Sequence, residues 1–337
     1  MKNLQVLDCT LRDGGHVNNF DFGLDTIKKV SQALNNARID IVEIGFLKNG
    51  EYEDNKSVFE YIDQAEKILP NEPYSSTFSI MIRPDWYDID KLKPSKKIEI
   101  IRFAFYWDDI DLTIKQANIA RKLGYKVFLN PVNITGYSDE GLKDLVSRLS
   151  DFEPHGVSIV DTFGCLTDKR LEDIYKVFES KIPKKVIVGL HLHENLSLAL
   201  SLALHFYNIS DVARNIVIDS SILGMGRIPG NLPTELFVGY FNKNINNKYI
   251  IGEVLKVAHE LILPIKKIYP WGYSPIYAAS AFLGVHRSYP EFYEDQGLNY
   301  QQISAALSSI SKAGIGGKFD RKLAEKIMSE ARDKDGE

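Results

Sequence analysis

Two histidines separated by one residue, His191 and His193, are spaced to share a metal ion. At an extended strand end, residues i and i+2 point to the same side. Two imidazoles on one face plus one carboxylate make a three-ligand site with open positions for a substrate. Asp13 offers that carboxylate if the first and seventh strands lie near each other around a closed barrel. The competing reading is a hydrogen-bonded pair of histidines.

Asp13 stands in the run Asp8-Cys9-Thr10-Leu11-Arg12-Asp13-Gly14-Gly15-His16. An Arg-Asp dipeptide is commonly a surface ion pair of small worth. Followed by two glycines that permit a tight turn, Arg12 is instead placed to meet negative charge developing on a substrate oxygen. His16 is either a plain loop histidine or a general base. Glu43 lies inside an apolar run and needs a partner, since an unpaired buried carboxylate is costly. It is expected to hold Arg12 or to stand behind the site. Gly224, Gly226 and Gly230 lack the spacing and the lysine of a phosphate loop and read as turn glycines. Cys165 has no base near it in sequence and reads as inert, and Cys9 reads as core.

These residues need a frame. Strand-like runs fall at 4–8, 40–46, 77–82, 98–103, 126–130, 157–161, 186–191 and 216–220. Helical patterns fall between them at 24–37, 55–68, 109–123, 139–150, 168–180, 195–208 and 232–240, with a weak one near 85–91. Ile41-Val42-Glu43-Ile44 and Val186-Ile187-Val188 read as parallel strands covered on both faces. Eight βα units fit an α/β fold of the (β/α)₈ TIM-barrel type over residues 1–248. An open doubly wound sheet is the rival, but no G-x-G-x-x-G turn follows the first strand. From 249 to 337 the alternation gives way to helices at 252–269, 275–287, 300–313 and 319–333. This reads as a helical C-terminal domain packed on the barrel. In such a barrel, chemistry gathers at the C-terminal strand ends. There stand Asp8, Arg83, Arg102, Asn130, Thr162, the 191–195 run and the 224–231 run.

The chain has 337 residues, with Lys+Arg 41 against Asp+Glu 45, and so a net charge of −4. A mildly acidic chain lacks the basic stripe of a nucleic-acid binder. Two cysteines build no disulfide framework and fit a reducing compartment. No secretory signal and no membrane span are read, so the expected location is the cytoplasm.

Leu7-Asp8-Cys9-Thr10-Leu11-Arg12-Asp13-Gly14 resembles the "D-x-T-L-R-D-G" signature of the DRE-TIM metallolyases. Within that superfamily the chain is most similar to the 4-hydroxy-2-oxovalerate aldolases. His191-Leu192-His193-Glu194-Asn195-Leu196-Ser197-Leu198 resembles their "H-x-H-x-N-L-S-L" run, and Gly224-Met225-Gly226 with Gly230-Asn231 their "G-M-G-x-x-x-G-N" run. Gly272-Tyr273-Ser274-Pro275-Ile276-Tyr277 resembles their tyrosine-bearing C-terminal segment.

The resemblance implies a divalent ion on Asp13, His191 and His193, with Mn²⁺ first and Mg²⁺, Co²⁺ or Zn²⁺ as alternatives. It implies Arg12 on a pyruvate enolate, His16 as base, and Tyr277 or Tyr273 near the substrate. Asp8, Glu43, Thr162, Asn195 and Asn231 are expected to line or support the site. The implied partners are a 2-oxo acid and an aldehyde, with self-association and an aldehyde dehydrogenase partner as further expectations. A Claisen-type acyl-CoA condensing enzyme or lyase, or a non-catalytic partner-binding homologue, are the alternatives. Glu194 departs from the histidine common at that place, and the run Val17–Gly23 departs from the degradative aldolases, which leaves the aldehyde open.

Overall fold

The computed structural model describes residues 3–50, 52–227 and 229–333. Among these residues the strands are β1 (Leu4–Asp8), β2 (Ile41–Leu47), β3 (Val58–Phe59), β4 (Thr77–Ile82), β5 (Ile98–Phe105), β6 (Lys126–Pro131), β7 (Gly156–Val160), β8 (Ile187–His191) and β9 (Ile216–Ser220). All pair in parallel, in the order β1-β9-β8-β7-β6-β5-β4-β2-β3, and β1 also pairs with β2. That last pairing closes eight strands into a (β/α)₈ TIM barrel, with β3 left as a short edge on β2.

The helices between strands are α1 (Leu24–Asn36), α2 (Ile62–Glu66), α3 (Ile110–Lys122), α4 (Asp139–Phe152), α5 (Asp168–Lys181), α6 (Ala199–Ile209) and α7 (Thr234–Asn244). Their apolar stripes face the strands. In α1 the buried residues Ile27, Val30, Ser31 and Leu34 follow the i, i+3, i+4, i+7 spacing of one helical face. Ser138 and Thr167 cap α4 and α5, accepting from the backbone N–H of Gly141 and Arg170, which satisfies donors the first turn leaves unpaired.

Period two along the strands separates two cores. Val42, Ile44, Ile101, Phe103, Val127, Leu129, Val188, Leu190, Ile216 and Ile218 belong to the outer layer against the helices. Leu7, Ile41, Ile100, Phe128, Ile187 and Val217 form a separate apolar cluster, the floor of the barrel interior. Cys9, just past the end of β1, belongs to this floor as well, and two residues past Ile41, Ile100, Phe128 and Val217 stand Glu43, Arg102, Asn130 and Asp219. The barrel interior thus turns from apolar to charged toward the C-terminal rim.

Several stretches differ from the sequence reading. The helix expected at 55–68 is β3 followed by the short α2. Ser57-Val58-Phe59 runs extended beside β2, where Phe46 N–H donates to Ser57 O at 3.1 Å and Lys48 N–H to Phe59 O at 2.8 Å. A Cβ on Gly45 would collide with the Ser57 carbonyl, so glycine there lets the backbones meet. The helix expected from 195 starts at Ala199, because Asn195–Leu198 turn out of the strand end, with Ser197 at φ 56°. The helix expected at 275–287 stops at Phe282 before Gly284, whose φ is +63°.

Beyond the barrel come α8 (Ile251–Val257), a π-helical turn (Ala258–Ile262), α9 (Leu263–Ile268), α10 (Pro275–Phe282), α11 (Ser288–Asp295), α12 (Tyr300–Lys312) and α13 (Arg321–Asp333). Val254, Val257, Ala258 and Ile262 join the barrel's outer core. Tyr277, Val285, Tyr289, Tyr293, Leu307, Ile310 and Ala324 belong to a second, smaller core. This second unit touches the C-terminal rim. Trp271 Nε1 donates to Leu223 O at 2.9 Å, the His286 ring lies 5.6 Å from that of Phe163, and Lys318 Nζ stands 5.6 Å over Tyr106. No helix among the described residues is long and apolar enough to cross a membrane.

Candidate active site

The loop after β1 wraps around a single carbonyl. Cys9 O accepts from the N–H groups of Arg12 (3.1 Å), Asp13 (2.8 Å) and Gly14 (3.4 Å). Asp8 anchors the same loop. It accepts from Thr10 N–H at 2.9 Å and Thr234 Oγ1 at 2.6 Å, while Thr10 Oγ1 accepts from Ile222 N–H at 2.8 Å. Burial pushes the Asp8 carboxyl up to about 6, against the two threonines. Asp8 therefore fastens β1 to β9 and α7 and does not line the cavity, because its carboxylate is spent on these donors.

Asp13, His191 and His193 come together with donor atoms within 4.8 Å of one another, all three buried. The Asp13 Oδ2 to His193 Nε2 distance is 3.8 Å. Both imidazoles are held from behind. His193 Nδ1 lies 2.8 Å from the carbonyl of Asp161, which only accepts, so Nδ1 carries the hydrogen and Nε2 the lone pair. His191 Nδ1 lies 3.1 Å from Asp219 Oδ2, which favours the same tautomer. Such back-bonding orients metal-binding histidines. Burial, then His191, drives His193 down to about 3, its neutral, ligand form. Burial would raise the Asp13 carboxyl, but Arg12 and the histidines hold it well below the usual range.

The fit to a metal shows in what is left over. His193 Nε2 and Asn231 Oδ1 are buried with no hydrogen-bond partner. Asn231 Nδ2 donates to Asp13 Oδ2 at 2.8 Å. Two unspent acceptor atoms beside a carboxylate suit a cation, and the donor set of one carboxylate and two imidazoles suits a divalent one.

The glycines after β9 bring Asn231 there. Asn231 N–H donates to Gly224 O at 2.9 Å, Gly224 and Gly230 take φ +62° and +129°, and a Cβ on Gly226 would strike the Asn231 amide. They are turn glycines, as their spacing implied.

An unbroken run of hydrogen-bonded charged groups lies under the ligands. Arg12 donates through Nη1 to Asp13 Oδ1 and through Nε to Glu43 Oε2, each at 2.6 Å. Glu43 Oε2 also accepts from Arg102 Nη1 at 3.2 Å. Arg102 Nη2 donates to Asp219 Oδ2 at 2.6 Å and to Asn130 Oδ1 at 2.9 Å. Asp219 reaches His191, so the chain Asp13–Arg12–Glu43–Arg102–Asp219–His191 links two of the candidate ligands. Sequence reading placed Arg102 and Asn130 only as strand ends and missed Asp219. The signal was present: each is two residues past an apolar floor residue.

A cavity opens above this network, walled by Arg12, Asp13, His16, Phe46, Tyr106, Thr162, His191, His193 and Arg227 among others. His16 packs edge-on against Phe20 at 5.0 Å and Phe46 at 5.8 Å. Burial and then Arg227 hold His16 well below its ordinary value, hence neutral. Thr162 lines the cavity and accepts from Asn133 N–H at 2.6 Å. Asn195 is buried against Gly164, its Nδ2 donating to Tyr277 O at 3.4 Å. Glu194 turns away to accept from Ala199 N–H at 3.4 Å, at the start of α6.

Neither expected tyrosine lines the cavity. The Tyr277 hydroxyl donates to Glu291 Oε1 of α11 at 3.1 Å. Tyr273 is 64% exposed. The phenol in the wall belongs to Tyr106, at the end of β5.

The HMGL-like family model matches residues 3–259. The chain belongs to the HMGL-like family. Its relatives include the 4-hydroxy-2-oxovalerate aldolase 6 of Rhodococcus jostii (strain RHA1), 23% identical over 80% of this chain and 76% of that one. The 4-hydroxy-2-oxovalerate aldolase of Geobacillus genomosp. 3 is 24% identical over 78% and 77%. The carboxyl transferase domain of Rhizobium etli pyruvate carboxylase superposes with a TM-score of 0.74 at 10% identity, covering 99% of this chain and 62% of that one. At that identity the likeness speaks for the fold alone. This HMGL-like chain is an enzyme of the carbon–carbon lyase class, aldolase-like in sequence.

Proposed function

We propose that this HMGL-like chain is a divalent-metal-dependent aldolase, using Mn²⁺ in the first instance, that cleaves or forms 4-hydroxy-2-oxo acids by way of the pyruvate enolate. The observation that carries it is the gathering of Asp13, His191, His193, Arg12 and His16 on one cavity. Asp13, His191 and His193 would hold the ion, which supplies a Lewis acid for the oxygens of the 2-oxo acid.

The chain's own groups do the rest. Neutral His16 takes the proton of the 4-hydroxyl. The C3–C4 bond breaks, its electron pair passes to the enolate of the pyruvyl half, and the aldehyde leaves. The Arg12 guanidinium, fixed by Asp13 and Glu43, faces the developing negative charge without having to reorganise. A proton from water adds at C3 to give pyruvate, and His16 returns the hydroxyl proton to water and is neutral again. The same groups run the addition in reverse. Phe20 and Phe46 keep water from His16 on two sides.

The test is deuterium uptake into the methyl group of pyruvate in D₂O with Mn²⁺, followed by NMR. Exchange needs no aldehyde, so it isolates the enolisation. Arg12→Ala is expected to slow it by about 10²-fold or more. Exchange no faster than with metal alone would refute the reading.

A further inference from the structure

Four arginines line the cavity, and three of them are spent within the protein. Arg12 and Arg102 are held in the charge network below. Arg83 is clamped on Asp85 by two hydrogen bonds of 3.0 and 2.6 Å. Arg227 differs: among the described residues no carboxylate pairs with it.

Its guanidinium Nη2 lies 3.3 Å from His16 Nε2. A guanidinium only donates, so the imidazole nitrogen accepts, which is a weak partner for a cation. The backbone does not compensate, since Arg227 N–H, not its side chain, faces Asp13 at 3.4 Å. Burial and then neighbouring Arg287 bring Arg227 down to about 10. A half-buried cation so placed gains from an anion arriving in the cavity.

The position of that anion follows from His16. In the aldolase reading His16 serves the oxygen of the aldehyde half, so a group beside it meets that half rather than the pyruvyl carboxylate. An anion on Arg227 would also draw the guanidinium from Nε2, since charge-assisted hydrogen bonds are about twice as strong as neutral ones. The lone pair that takes the hydroxyl proton is then released.

We propose that the aldehyde half of the substrate carries an anionic group, a carboxylate or a phosphate, received by Arg227. This rests on the aldolase reading and names its substrate class.

The experiment measures condensation of pyruvate by the full-length, Mn²⁺-loaded protein with butanal, succinate semialdehyde and glycolaldehyde phosphate. Wild type is expected to favour an anionic aldehyde over butanal by about 10- to 100-fold in kcat/KM, as a hydrogen-bonded charge implies. The carboxylate and phosphate arms name the anion. Arg227→Met is expected to bring the ratio near one, and Arg227→Lys to restore part of it. If Arg227→Met does not fold, Arg227→Gln is read in its place. A wild-type ratio near one, or a ratio that survives the loss of the arginine, overturns the proposal. So does an Arg227→Met defect that appears equally as a higher KM for pyruvate in methyl exchange, which would put Arg227 on the pyruvyl carboxylate. Methyl exchange without anion preference sinks this proposal alone. Neither exchange nor condensation with any aldehyde sinks the aldolase reading and this proposal with it.

Discussion

Arg102→Met removes the cation at the centre of the buried network. The arginine is 1% exposed, and it bridges Glu43 and Asp219, which are both fully buried or nearly so. Glu43 would keep Arg12 at 2.6 Å. Asp219 would keep only His191 Nδ1 at 3.1 Å. Breaking a buried pair by removing one partner costs about 3–5 kcal/mol, because the remaining charge is uncompensated. Burial already pushes the Asp219 carboxyl up, and Arg102 with His191 holds it below its usual value. Without Arg102 that balance reverses and Asp219 takes a proton more readily. A neutral Asp219 orients the His191 ring less firmly, so affinity for Mn²⁺ should fall by about 10- to 100-fold. Urea unfolding and calorimetric Mn²⁺ titration read the two effects. The double variant Arg102→Met/Asp219→Asn also removes the orphaned charge, and it should recover about 1–3 kcal/mol relative to the sum of the single losses. A single loss under about 1 kcal/mol, or strict additivity in the double variant, would refute the electrostatic account.

Purified protein should hold one divalent ion per chain, and chelation should lower its melting temperature by mass action; Asp13→Asn or His193→Ala should abolish that chelator response in a thermal scan. A Cβ at Gly15 would run into the Phe20 ring, so Gly15→Ala should cost about 1–3 kcal/mol and displace the ring from His16, which Gly15→Ala/Phe20→Ala should partly relieve in both stability and methyl exchange. Asp8 is raised to about 6 from an ordinary 3.8, so its contribution to stability is full below about pH 4 and is lost as pH rises toward 6 and just beyond. Across that window this amounts to about 2–3 kcal/mol. Asp8→Asn should flatten that part of the stability–pH curve, and a slope unchanged from wild type would contradict the assignment.

The local grammar of the chain was legible without coordinates. Apolar runs of period two and 3.6 depend on near neighbours, and they marked all eight barrel strands to within one or two residues at most ends. Gly224, Gly226 and Gly230 marked the turn after β9. The D-x-T-L-R-D-G-G-H and H-x-H runs are local too, so Asp13, His191 and His193 could be named as one group once closure of the barrel was assumed. The strand β3 was hidden because two residues carry no period, and only the flank of β2 beside Gly45 made a strand of them.

What local pattern does not encode is which distant residues meet. Asp219 reaches Arg102 across 117 positions and Asn231 reaches Asp13 across 218, through the pairing of β1 with both β2 and β9. The tyrosines show the same limit. Tyr277 has the right neighbours in sequence, yet the second core turns its hydroxyl to Glu291 and leaves the cavity wall to Tyr106. Sequence determined the residue types, the order of elements and the faces they bury, because those follow from spacing along the chain. Barrel closure and the seating of the second core decided which charges neutralise one another and which, like Arg227 beside His16, meet no carboxylate among the described residues, because a charge is paired only through its neighbours in space.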